Sequence, residues 1–295
     1  MTDYKLQIYQ EGIEEAQSSL GRKITEEWED FHQSSAEYLQ NVYSRPDFDP
    51  ETRLYAFKDD ELVGFMVSKV EPESEEEERK IANLDFPFVK KGHEEVSKIL
   101  YEKAIETLRR KGVQLVQARV GKNWHGTVEQ AEKLGYKKKN IMFLRMMTEV
   151  TRIQLENIEE KFHEFDLEKD EEQLIQFYID HFNMTDEQAR ANFEGIIKSE
   201  DGLYFQPVFK EGDKIISRGL LFIPKDSQNA NFRPLVPDPT KYFDEYLAYI
   251  TKIAKEKEIE KFQLTLGGAQ LDHLEHYKSY GFEVTNKIFY YEKEI

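Results

Sequence analysis

The 295-residue chain has no cysteine, so disulfides, thiolate metal sites and a cysteine nucleophile are excluded by inventory. No window approaches the roughly 20 apolar residues of a membrane-spanning helix. The opening MTDYKLQIYQ lacks a basic region followed by an apolar one, so nothing signals export or anchoring, and a cytoplasmic location is the expectation. Basic charge is short: 41 Lys and Arg stand against 58 Asp and Glu, a formal net charge of -17. That balance repels nucleic acid and anionic lipid. Neither is expected as a partner, and a cationic small molecule or basic peptide is the more natural one. No Walker loop, hydrolase elbow or zinc pattern occurs. His273 and His276 lie three apart with no evident third ligand, so no metal site is expected.

What the chain does have is apolar and aromatic bulk, with 20 Phe and 16 Tyr and 39% hydrophobic residues. A disordered chain would be depleted in these. The length suits two domains of about 100–200 residues or one large α/β unit.

Residues 4–9 alternate as a strand does, and a polar, helix-permissive region follows to Tyr43. Residues 53–58 and 62–70 flank the short polar stretch 58–61 and read as a β-hairpin. After an acidic run at 71–78, residues 81–89 read as a strand that enters Lys90-Lys91-Gly92 and a long helix. In that helix Val96, Ile99, Leu100, Ala104, Ile105 and Leu108 recur at three- and four-residue spacing. Gly112 is placed to end it. A strand at 113–120, a short helix at 128–134 closed by Gly135, and a strand at 141–147 complete the first half.

The second half repeats the order. A hairpin spans 203–209 and 215–223. Tyr242, Phe243, Tyr246, Leu247, Ile250, Ile253 and Ala254 then mark a second amphipathic helix. A strand at 261–266, a short helix at 275–281 and a last strand at 287–291 follow. One offset of 146 residues carries Gly135 onto Gly281 and the strand at 115 onto that at 261. Upstream, Gly64 falls on Gly219 at an offset of 155, and the nine-residue excess matches the acidic loop 71–79. The expected division is 1–150, a linker at 151–165, and 166–295.

The string GVQLVQARVGKNWHGTVEQAEKLGYKK resembles the end of a GNAT-superfamily N-acyltransferase domain, where a strand leads to a short helix closing in Leu-Gly-aromatic. HYKSYGFEV resembles the same signature. The resemblance covers nearly the whole chain and implies an α/β class, an α+β mixed sheet, as two tandem GNAT folds. It also implies a function, acetyl-CoA-dependent acetyl transfer to a primary amine by direct transfer, with a non-catalytic GNAT-like binding or scaffold protein as the alternative.

In that family the strand before the long helix splays from its neighbour so that acetyl-CoA pantetheine can bond to its backbone. The pyrophosphate rests on the following loop and helix N-terminus. Carried over, the strand is 84–89, with Phe86, Phe88 and Val89, and the loop continues through Lys90, Lys91, Gly92, His93 and Glu94. Where the family loop has Arg or Gln, then Gly, then Gly or Ala, this chain has Val89, Gly92 and Glu94. Glu94 would set a carboxylate beside the pyrophosphate, which Lys90 and Lys91 could offset.

The second loop reads Val236-Pro237-Asp238-Pro239-Thr240. It has lost two donors to proline and is unsuited to phosphate. The second copy is therefore expected to be degenerate, structural or shaping a substrate pocket.

The family's proton-donating tyrosine falls on Ala131 in the first copy and on Tyr277 in the second; Tyr101 and Tyr136 are other phenols. Asp85 is the candidate base, on the expectation that burial beside a cleft raises its pKa. Asn123 lies next to the family's pantetheine-contacting asparagine position, which Trp124 occupies. The acidic run at 73–78 is a candidate for steering a cationic amine, though such a run is commonly a solvated loop.

Overall fold

The computed structural model describes residues 4–29, 31, 33–72, 79–199 and 201–295. The acidic run at 73–78 lies outside the described residues. In chain order the elements are β1 (Lys5–Ile8), α1 (Glu14–Ile24), α2 (Ala36–Tyr43), β2 (Arg53–Lys58), β3 (Glu61–Val70), β4 (Ile81–Leu84), β5 (Phe88–Val89), α3 (Glu95–Arg110), β6 (Leu115–Gly121), α4 (Thr127–Lys133) and β7 (Lys137–Glu149). The second half adds β8 (His163–Glu164), α5 (Leu167–Phe182), α6 (Asp186–Ile197), β9 (Gly202–Phe205), β10 (Pro207–Glu211), β11 (Lys214–Pro224), β12 (Asn229–Val236), α7 (Phe243–Glu256), β13 (Lys261–Gly267), α8 (Leu274–Ser279) and β14 (Glu283–Glu294).

These elements form two compact units, and their boundary is not a single cut in the chain. The first comprises Met1–Met142 and Asn286–Ile295, the second Phe143–Thr285. This differs from the expected division at 150 and 166, because the last strand of each half is built into the other unit. β14 runs antiparallel to β6, from Ile288 opposite Gly121 to Glu294 opposite Leu115. The last part of β7 runs antiparallel to β13, from Phe143 opposite Gly267 to Glu149 opposite Lys261. The expected linker at 151–165 is partly core, since Ile153 and Phe162 are buried in the second unit. Apolar residues there turn a polar-looking stretch into packed structure.

In the first unit the strand order is β1-β2-β3-β4-β6-β14, with β5 on β3. Strand alternation feeds two cores. Leu54 and Ala56 join the cluster that includes Val96, Leu100 and Leu108 of α3, while Tyr55 joins Phe65 and Phe88 beside Ile24 and Trp28. In the second unit the order is β7-β13-β12-β11-β10-β8, with β9 on β11. One core gathers α7 and Tyr277, and another gathers α5 and α6 around Tyr178 and Phe193.

The repeat is visible in the packing. A Cβ added to Gly64 would meet Leu100 of α3 at 3.2 Å, and one added to Gly219 would overlap the ring of Tyr246 of α7. Leu100 and Tyr246 are 146 positions apart, the offset that also superimposes β6 on β13. In each unit a glycine lets the long helix close on the hairpin strand. Gly219→Ala is expected to lose about 2 kcal/mol or more of stability through overpacking against a buried ring, read from the denaturant midpoint.

Candidate functional site

β4 is parallel to β6 for three residues only, with Ile81, Ala82 and Asn83 opposite Leu115, Val116 and Gln117. Beyond that point the strands part. The Asp85 N–H donates to Val67 O (3.0 Å), and Phe88 and Val89 pair with Phe65 and Gly64 of β3. The strand expected at 81–89 is therefore broken into β4 and β5, because it keeps its β3 partner while losing β6. The parting leaves one edge of β6 unpaired in this stretch, and backbone groups there need other partners.

A cavity of about 1120 Å³ lies against this parting, walled by Phe86, Phe88 and Val89, by Ser97 and Tyr101 of α3, and by Gln130 of α4. Of the nine residues expected to contact the cofactor, Phe86, Phe88, Val89 and Glu94 line it, while Lys90, Lys91, Gly92, His93 and Asn123 do not. Two further walls lie outside that expectation. Trp28 lines the cavity and stacks on Trp124 with ring centroids 5.7 Å apart. Lys293, from the far end of the chain, also lines it, and its Nζ donates to the Tyr101 hydroxyl (3.2 Å). The Tyr101 hydroxyl in turn lies 3.4 Å from that of Tyr136, whose pKa burial pushes well above the ordinary phenol range. Only the exchange of β14 brings Lys293 here, which no local motif announces.

The loop between β5 and α3 satisfies two of its own donors. Gly92, at φ +92°, donates its N–H to Glu94 Oε1 (2.8 Å). That bond holds the Glu94 carboxyl below its usual pKa range. The His93 N–H donates to Lys90 O (3.1 Å), and its Nδ1 meets the Tyr4 hydroxyl (2.9 Å). Lys90 is ion-paired with Glu61, so of the two lysines set against Glu94 it is Lys91 that stands exposed. In the second unit Asp238 Oδ1 accepts from the Thr240 N–H (2.9 Å), the Thr240 hydroxyl (2.8 Å) and the Lys241 N–H (3.1 Å). Its carboxylate already occupies the position an anion would take.

Three candidates are placed otherwise than expected. Asp85 is not a buried carboxylate: its side chain is 22% exposed and accepts from Arg119 Nη2 through both oxygens, at 2.9 and 2.8 Å. A bidentate guanidinium takes up both oxygens of the carboxylate, so neither is left turned toward an acceptor amine. Tyr277 is fully buried in the second core, edge-on to Phe243, and among the described residues its hydroxyl has no hydrogen-bond partner. Burial raises its pKa far beyond the ordinary phenol range, and a sealed hydroxyl cannot reach a departing group. Asn123 is tied to the Glu29 carboxylate, while Trp124 donates its indole N–H to Glu29 O (2.8 Å). Among the described residues, no group of three or more His, Asp or Glu is placed to hold a metal, and no helix is long and apolar enough to cross a membrane.

No family model and no curated protein matches the sequence. Solved structures do match the fold. A tandem GNAT protein from the clavulanic acid biosynthesis pathway aligns over 99% of this chain and 98% of its own, at 11% identity and a TM-score of 0.66. An acetyltransferase of the GNAT family from Colwellia psychrerythraea aligns over 98% and 99%, at 12% identity and 0.62. The N-myristoyltransferase of Saccharomyces cerevisiae, solved with myristoyl-CoA, aligns over 99% and 80%, at 11% identity and 0.54. The chain thus has the GNAT fold. It carries that fold twice, in tandem.

Two outcomes follow from the second unit. Tyr277→Phe removes a buried hydroxyl that has no partner among the described residues, so stability is expected to hold or rise by about 1 kcal/mol, with any acyl-transfer rate unchanged. A large loss of turnover without unfolding would restore Tyr277 as a proton donor. Glu164 has its pKa raised from 4.5 to about 7, chiefly by burial. The folded state therefore holds a proton that the unfolded state has lost, and stability falls as pH rises between those two values. Glu164→Gln is expected to flatten that fall and to be more stable at pH 8 by about 2 kcal/mol, measured by denaturation across pH.

Proposed function

We propose that the first unit binds acetyl-CoA in the cleft where β4 parts from β6 and transfers its acetyl group directly to a primary amine. The observation that carries this reading is the three-residue pairing followed by separation, opening on a cavity large enough for a pantetheine arm and walled by α3 and α4. The strand edge left open there offers backbone groups to the amides of such an arm. The acceptor we favour is a cationic small molecule or peptide, in keeping with a formal net charge of -17.

In this reaction the amine nitrogen forms a bond to the thioester carbonyl carbon as the carbon–sulfur bond breaks. The amine proton leaves to water, and the thiolate takes up a proton. With Ala131 at the usual tyrosine position, we assign that last proton to Tyr101, whose hydroxyl lies at the cavity wall beside Lys293. Lys293 donates to that hydroxyl and holds it at the wall. A pyrophosphate must displace the Glu94 carboxylate from the Gly92 N–H to use the loop, so Glu94 weakens the binding of any CoA thioester.

A second reading, binding without catalysis, has its own support in the alanine at position 131 and the sealed Tyr277. Calorimetric titration of the full chain with acetyl-CoA tests the first. One site per chain is expected, weakened about tenfold or more by Gly92→Val, tightened by Glu94→Ala and unchanged by Asp238→Asn. No heat at high-micromolar ligand would end the proposal. Tyr101→Phe is expected to cut turnover by about 10²-fold while leaving acetyl-CoA affinity intact. Binding with no turnover on any amine would establish the second reading instead.

A further inference from the structure

The second unit has a parting of its own. β12 is parallel to β13 over Asn229, Ala230 and Asn231 opposite Lys261, Phe262 and Gln263, after which the strands separate. Against this gap lies a cavity of about 430 Å³, reached by Arg145 of β7, Arg218 of β11 and Arg233 of β12. Three guanidinium groups meet in a chain whose acidic residues outnumber its basic ones by 58 to 41, and among the described residues no Asp or Glu lines the cavity.

Arg218 is the unusual member. It is 5% exposed, its Nη2 donates to the neutral Gln206 Oε1 (2.8 Å), and its guanidinium lies 4.8 Å from the Tyr178 ring centroid. Among the described residues its buried Nε has no hydrogen-bond partner and it forms no ion pair with a carboxylate. Burial lowers its pKa, and the nearby charge of Arg233 lowers it further. Glu164 is near enough for the Arg218 guanidinium to act on its carboxyl, but the two form no ion pair among the described residues. A buried cation without a paired carboxylate is costly, and two cations facing one another add to the cost. An anion in the cavity would offset both. Arg145 donates to Asn231 Oδ1 (3.4 Å) from the third side, and Phe182 and Phe232 supply an apolar wall.

We propose that this cavity binds a small molecule through an anionic group, a carboxylate or a phosphate, clamped by Arg218, Arg233 and Arg145 with its apolar part against Phe182 and Phe232. The site is internal to the second unit and does not rest on acetyl-CoA binding in the first. Planar guanidinium forks match both oxyanions, so the headgroup is a matter for experiment.

The full chain should be titrated with malonate and with inorganic phosphate, by calorimetry and by thermal shift. Saturable binding of at least one is expected, and the tighter of the two names the headgroup. Arg233→Ala, at an exposed position, should weaken it about tenfold or more. Lys252→Ala, a charge loss outside the cavity, should leave it unchanged. Arg218→Met should raise the melting temperature without ligand and abolish the further rise that the anion gives. Absence of saturable binding for both anions up to about 10 mM, or equal weakening by Lys252→Ala and Arg233→Ala, would overturn the proposal.

Discussion

The arrangement of each unit depends on one short stretch of parallel pairing that is not continued. β4 holds β6 for three residues and β12 holds β13 for three, and then each pair separates. Continued pairing would close the sheet and leave no cleft. Earlier separation would leave too much backbone without partners to be stable. In the first unit β5 keeps its place by pairing with β3, so the strand leans away from β6 without leaving the sheet. The long helix follows the strand that leans. A glycine opposite it in each hairpin, Gly64 or Gly219, lets the helix settle against the sheet beside the gap.

The two units spend this common geometry differently. At the head of the long helix, Glu94 satisfies one loop N–H, whereas Asp238 takes two N–H groups and a hydroxyl. A single carboxylate contact is easier for a phosphate to displace than three, which makes the first loop the more permissive. On the opposite side of the account, the first unit lines its gap with aromatic and mixed-charge residues, while the second lines a smaller gap with arginines. The same break in pairing therefore presents two chemistries.

Much of the fold was legible because it is periodic. The amphipathic stripes of α3 and α7, the hairpin turns and the Leu-Gly-aromatic endings all lie within short windows, and the offset of 146 fell directly on β6 and β13. β12 leaves a weaker mark because Pro234 interrupts its alternation, and the buried residues of α5 and α6 recur at helical spacing but are set among polar ones. For the site, the residues around the gap could be read from the motif, but the state of each side chain could not. Asp85 meets Arg119 from 34 positions away, and Tyr277 is sealed by Phe243 and Phe282. Such contacts are tertiary and leave no mark on local pattern. The arginines of the second cavity come from three strands, and none forms a motif with another.

The exchange of final strands has a consequence for how the chain is made. β6 is synthesised with one edge open, and its partner β14 appears only after about 165 further residues. Until then the first unit is an unfinished sheet with an exposed edge, the kind of surface that recruits wrong partners. The second unit, Phe143–Thr285, is continuous and can close on itself first. The order of completion is thus the reverse of the order of synthesis, and a cut between the sequence halves would separate a unit from its own last strand rather than one domain from another.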